Sequence, residues 1–154
     1  MIIIGIDPGA SGGITVLDMA GEVLDRAPLA KMTNHDIAEA LREWRDRDEK
    51  ARAIIERVGP ARGRDGRTQG ISSTAKFMRQ AGMLEGFLIM GQIPYGDVAP
   101  AVWQRALGCL SKGDKNVTKA AAQRRWPDLK WTHALADSAL IAEYERQRVA
   151  AITA

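Results

Sequence analysis

Apolar residues near the start of the chain fall into two short, dense runs, each ending on an acid: Ile2-Ile3-Ile4-Gly5-Ile6 before Asp7, and Ile14-Thr15-Val16-Leu17 before Asp18. Runs this short, and too apolar to alternate, predict strands buried on both faces. A third, more polar strand follows, so the expected strands lie near residues 2–7, 13–18 and 22–28. Glycine-containing turns at Gly9 to Gly13 and Met19-Ala20-Gly21 separate them, which predicts an antiparallel meander. The period then changes. Ile37, Leu41 and Trp44 recur at helical spacing, with Asn34 as the expected N-cap and an end near Asp48. Residues 53–58 read as a fourth strand, parallel to the first if this helix is the crossover.

The Gly- and Arg-rich stretch 59–72 has no period and reads as a loop. A helix is expected from Ser73 to Met90, with Phe77, Met78, Ala81, Leu84 and Leu88 on one face. A fifth strand near residues 92–98 and a short helix after Pro100, carrying Val102, Trp103, Ala106 and Leu107, lead to a polar loop over 108–116. Thr118 is expected to cap or open the next helix, which Pro127 stops, and a last helix starts near His133.

Three acids interrupt these apolar patterns. Asp7 closes the first strand, Glu56 lies on the fourth, and Asp137 shares a helical face with His133, Leu140, Ile141 and Tyr144. Burial penalises a lone carboxylate heavily, so each needs a partner. Singly, each has an ordinary solution: an Asx turn for Asp7, an ion pair with Arg57 for Glu56, a cap or salt bridge for Asp137. Together, three inward acids repel one another unless a cation neutralises them, and an all-oxygen donor set suits Mg²⁺ or Mn²⁺.

Composition narrows the setting. The 154 residues suit one domain, residues 1–154, and 45% hydrophobic with 27% charged residues is ordinary for a globular chain. No stretch has the length of a membrane span, the N-terminus lacks a signal-peptide pattern, and the single Cys109 suits a reducing compartment, so a cytoplasmic location is expected. Net charge is only +3, but residues 57–130 carry 13 Lys/Arg against 5 Asp/Glu, while the remainder has 9 against 14. That imbalance suits a polyanionic partner; a merely solvated basic surface is the alternative.

The sequences Gly5-Ile6-Asp7-Pro8-Gly9, Ile55-Glu56 and Ala136-Asp137-Ser138-Ala139-Leu140 resemble the RuvC branch of the RNase H-like nuclease superfamily, in particular the compact RuvC-like Holliday-junction resolvases of bacteriophages. Further matches are Ala81-Gly82-Met83-Leu84-Glu85-Gly86, Val98-Ala99-Pro100 with Trp103, and Lys115 through Thr118-Lys119-Ala120 to Trp126-Pro127, so the resemblance covers nearly the whole chain. The first motif alone also opens actin-like sugar kinases, whose two-lobed fold needs about twice this length and a second phosphate loop.

The resemblance implies an α/β RNase H-like fold, a five-stranded mixed sheet flanked by helices on both sides. It implies a two-metal endonuclease site in which Asp7, Glu56 and Asp137 hold Mg²⁺, with Mn²⁺ able to substitute and His133 as a fourth ligand. One ion would activate water for in-line attack and the other stabilise the leaving oxygen. Lys115 matches a basic residue near the active site and would offset charge on the scissile phosphate. The implied partners are branched double-stranded DNA, foremost four-way junctions and then forks and flaps, and a second copy of the chain. Arg62, Arg64, Arg67, Gln69, Lys112, Lys115 and Lys119 are the expected DNA contacts. Met78, Met83, Phe87 and Met90 give the helix over 73–90 more apolar surface than one core stripe needs, which suits a C2 dimer.

Two departures stand out. Bacterial relatives often carry paired acids in the last helix, whereas here His133 precedes Asp137 by four residues and Ala134 by three. The loop over 59–72 lacks the aromatic residue those enzymes place at the crossover, and Phe77 is expected to lie too far inside its helix to replace it. The alternative function is a DNA-junction-binding or architectural protein that kept the fold without turnover.

Overall fold

The computed structural model describes residues 1–57, 59 and 70–153. Its five strands are β1 (Ile2–Asp7), β2 (Gly13–Asp18), β3 (Val23–Pro28), β4 (Arg52–Glu56) and β5 (Tyr95–Val98). They form one sheet in the order β3-β2-β1-β4-β5. The meander β1-β2-β3 is antiparallel, and β4 and β5 join it in parallel. The crossover into β4 is helix α1 (Asn34–Arg47), as the change of period from two to 3.6 predicts. The others are α2 (Ile71–Met90), α3 (Pro100–Ala106), α4 (Lys115–Arg125) and α5 (His133–Thr153).

The pleat of β1 sorts its side chains between two cores. Ile2, Ile4 and Ile6 pack with Ile37 and Leu41 of α1 and Leu84 and Leu88 of α2. Ile3 points the other way, into a cluster with Trp103, Ala122, Trp126, Ala139 and Leu140 from α3, α4 and α5. Helices therefore cover both faces, and β1 is buried along nearly its whole length.

Alpha-5 lies unusually close to the sheet. A Cβ added to Gly5 would fall 2.2 Å from the Ser138 carbonyl oxygen and 2.5 Å from the Ala142 nitrogen, so only glycine lets the helix backbone rest on β1. On β2 the Thr15 and Ser138 hydroxyls hydrogen-bond at 2.8 Å across this contact.

Some boundaries differ from expectation. Thr33, not Asn34, caps α1: its hydroxyl accepts from the Asp36 N–H at 3.2 Å, and the Asp36 carboxylate accepts from the Thr33 N–H at 2.7 Å. Asp114 caps α4 by accepting from the Asn116 N–H, while Thr118 sits inside the helix and donates to the Lys115 carbonyl. Beta-5 starts at Tyr95, because Gln92 adopts a left-handed φ of 54° just after α2. Alpha-2 begins at Ile71, inside the stretch expected to be loop. Val58 lies outside the described residues. Among the described residues, no helix is long and apolar enough to cross a membrane.

Candidate active site

The parallel pair β1 and β4 brings Asp7 and Glu56 to adjacent strand ends, since Ile6 pairs with Ile55. Alpha-5, held against β1 at Gly5, carries Asp137 to the same place. All three acids line one cavity of about 600 Å³, with Gly9, Ala10 and Ser11 of the β1–β2 turn, Phe77 and Gln80 of α2, and Lys115 and Thr118 of α4. Residues 130 positions apart in sequence are thereby joined at one carboxylate cluster.

The surroundings of each acid decide between the ordinary solutions and a ligand role. Asp7 does form the Asx turn, accepting from the Gly9 N–H at 3.2 Å. Burial nevertheless raises its carboxyl from 3.8 to about 6, with Gly9 opposing the rise and Asp137 adding to it. Of the basic partners expected for Glu56, Arg57 or another cation, Arg57 is engaged elsewhere: its guanidinium binds Asp97 on β5 at 2.7 and 3.0 Å. Burial and the charge of Asp7 raise Glu56 to about 7, against a hydrogen bond from the Trp103 indole. Burial also raises Asp137, opposed by the Thr118 hydroxyl, Lys115 and His133. Its Oδ1 is buried and, among the described residues, has no hydrogen-bond partner.

An unpartnered buried carboxylate oxygen beside two other carboxyls held high is a donor set that fits a hard cation. The cage is not closed. Among the described residues, no group of three or more His, Cys, Asp or Glu side chains is already arranged to hold a metal ion. Mg²⁺ tolerates such openness, because it keeps several waters and takes one or two carboxylates together with substrate phosphate oxygens.

His133 stands at the edge of this arrangement. Its Nδ1 is 3.2 Å from the Lys115 carbonyl oxygen, which can only accept, so Nδ1–H donates this bond. Histidine ligands are commonly oriented by such a carbonyl bond. His133 is not among the residues lining the cavity, however, so its relation to the acids is through Asp137.

Lys115 opens α4 at the cavity wall and opposes the charge of all three acids. Lys112 lies in the preceding loop with a left-handed φ of 49°, and Lys119 is exposed on α4; neither lines the cavity. Arg62, Arg64, Arg67 and Gln69 lie outside the described residues. Phe77 lies inside α2, and its half-buried ring lines the cavity, with Cε2 3.5 Å from where a Gly9 Cβ would stand. Lys76 and Gln80, one turn apart on α2, also line a second hollow of about 290 Å³ with Asn34 and Arg79, so a polar groove leads from the acids toward α1.

No family model and no curated protein sequence matches the chain. Solved structures do. The structure of Thermus thermophilus RuvC superposes with a TM-score of 0.68 at 16% identity, over 99% of this chain and 98% of that one. T. thermophilus RuvC in complex with a Holliday junction substrate gives 0.67 at 15% identity, over 98% and 96%. The yeast mitochondrial Holliday junction resolvase Ydc2 gives 0.52 at 14% identity, over 98% of this chain and 81% of that one. The fold is thus the RNase H-like fold of RuvC, as the resemblance in sequence implied.

Proposed function

We propose that this protein is a divalent-metal-dependent endonuclease acting on branched DNA, with four-way junctions as its main substrate. The observation that carries the proposal is the convergence of Asp7, Glu56 and Asp137 on one cavity, all with raised carboxyl pKa values and one with a buried oxygen unpartnered among the described residues. Two of the similar structures, RuvC in complex with a Holliday junction substrate and the Holliday junction resolvase Ydc2, support this substrate class.

In this reading Asp7, Glu56 and Asp137 hold Mg²⁺ or Mn²⁺, with His133 joining through Nε2. When bound, the ions would polarise the phosphodiester and acidify the attacking water. Lys115 offsets negative charge gathering on the phosphate. Phe77 offers its ring to a base beside the cut, the stacking role expected of a loop aromatic. Lys76, Arg79 and Gln80 hold the backbone along the groove, with Lys112, Lys119, Arg62, Arg64, Arg67 and Gln69 as further phosphate contacts.

Two symmetric cuts need two sites related by a twofold axis, so the active species is a homodimer. Alpha-2 supplies the apolar surface for it, with Met78, Ile89 and Met90 exposed and Met83 and Phe87 half-buried. In this reading the enzyme works in the cytoplasm, that of the bacterial host if the chain is phage-encoded.

Digestion of end-labelled junction, fork, flap and linear DNA in Mg²⁺ and in Mn²⁺ tests the proposal. Paired nicks near the branch point are expected, with Asp7→Asn lowering cleavage by about a thousandfold or more while junction binding persists. A wild-type chain that binds junctions but nicks none of these substrates is instead an architectural protein.

A further inference from the structure

Glu56 owes its orientation to an indole. Trp103 on α3 is fully buried, at 0% exposure, and its ring packs in the core on the α5 side of the sheet. Its Nε1–H donates to Glu56 Oε2 at 2.7 Å. An indole nitrogen only donates, and it keeps its proton throughout the accessible pH range. One oxygen of Glu56 therefore carries a fixed hydrogen bond, and Oε1 has none among the described residues. Asp7 repeats the arrangement, with Oδ1 held by the Gly9 N–H, whereas Asp137 Oδ1 has no such tether among the described residues.

We infer that Trp103 is a positioning residue: it fixes the Glu56 carboxylate so that a single oxygen, Oε1, is presented to a divalent cation. The inference rests on the metal-site reading above. Trp103 touches neither cation nor DNA. The ring is core, and an ordinary core position would be served as well by phenylalanine; the part that acts on the site is the N–H. Pro100, at the first position of α3, sets the helix that aims it.

The test compares Trp103→Phe with Trp131→Phe. Trp131 is a second buried tryptophan whose Nε1–H donates to a backbone carbonyl, that of Trp126, at 3.1 Å, so its replacement loses a comparable bond away from the acids. Mn²⁺ binding is read by electron paramagnetic resonance on protein shown to be folded by thermal melting. Trp103→Phe should weaken Mn²⁺ about tenfold or more, and Trp131→Phe should leave it unchanged. In ¹⁵N-labelled apo protein, Glu56→Gln should move one of the four indole N–H signals and leave the other three in place.

Equal Mn²⁺ affinity in wild type and Trp103→Phe overturns the inference and leaves the nuclease reading standing. So does equal weakening by both variants, or an indole spectrum indifferent to Glu56→Gln. Absence of Mn²⁺ binding by the wild type overturns both readings.

Discussion

Alpha-5 buries acids in two places and treats them in opposite ways. Asp137, in its second turn, has an oxygen without a partner among the described residues and a raised carboxyl pKa. Further along, Glu143 and Glu145 are more completely enclosed, at 1% and 0% exposure, yet both are saturated with donors. Glu143 accepts from Arg146 at 2.6 and 2.8 Å, from Gln147 at 2.7 Å and from Arg125. Glu145 accepts from Arg148 at 2.7 and 2.9 Å and pairs with Arg52 at 2.9 Å. Burial pushes Glu143 up, but these partners outweigh it and hold the carboxyl below its ordinary range. Burial of an acid alone thus says little about function. What separates Asp137 is that one of its oxygens is buried without a donor among the described residues, at the place where two other acids with raised carboxyl pKa values meet.

The sharpest way to break this contrast is to neutralise one acid of each kind. Asp137→Asn should cut cleavage by about a thousandfold or more and leave the melting temperature unchanged or higher, since it removes repulsion. Loss of stability with activity retained would make Asp137 structural. Glu143→Ala should do the reverse. Removing an acid that holds three donors should cost about 2–3 kcal/mol in urea unfolding, while the folded fraction cleaves at the wild-type rate.

A smaller effect separates the two groups by pH. Asp7 and Glu56 hold protons in the folded state that the unfolded chain releases, so without metal their contribution favours lower pH. Stability should fall as pH rises from about 4 through 7. Glu143 has the opposite sign: its depressed carboxyl contributes stability above the ordinary glutamate range, and this is lost as pH falls through its folded value. Mg²⁺ competes with the protons on Asp7 and Glu56, so it should raise the melting temperature more at pH 8 than at pH 5.5. An equal gain at both values would place the binding elsewhere.

Much of the fold was legible because β1, β2 and β4 are short apolar runs and α1 carries a clean 3.6 period, and such local signals survive folding intact. The caps were less so. Thr33 precedes Asn34 by one residue, and only the reciprocal bond with Asp36 selects it. Thr118 looks like a cap in sequence, but Asp114 four residues earlier reaches the free N–H groups first.

The three acids could be identified because apolar neighbours flank each one. Glu143 and Glu145 have i+3 partners on their own helix in Arg146 and Arg148, but their pairs with Arg125 and Arg52 come from other elements and leave no local trace. The place of Phe77 on the cavity wall was not legible either. The approach of α2 to the β1–β2 turn at Gly9 is set by tertiary packing, which leaves no periodic trace. Trp103 was legible only as part of the short helix after Pro100; its bond to Glu56 depends on how α3 lies against β4.

Gly5 gives the carboxylate cluster its ruler. Because α5 rests on β1 backbone against backbone, the gap between the Asp7 and Asp137 stems is set by two main chains in contact, with no side chain acting as a spacer between them. Main chains do not compress or change rotamer. A methyl group at Gly5 would therefore act as a shim, lifting one carboxylate away from the other without touching either, and a distant exchange of hydrogen for carbon would reach the chemistry as a change in length.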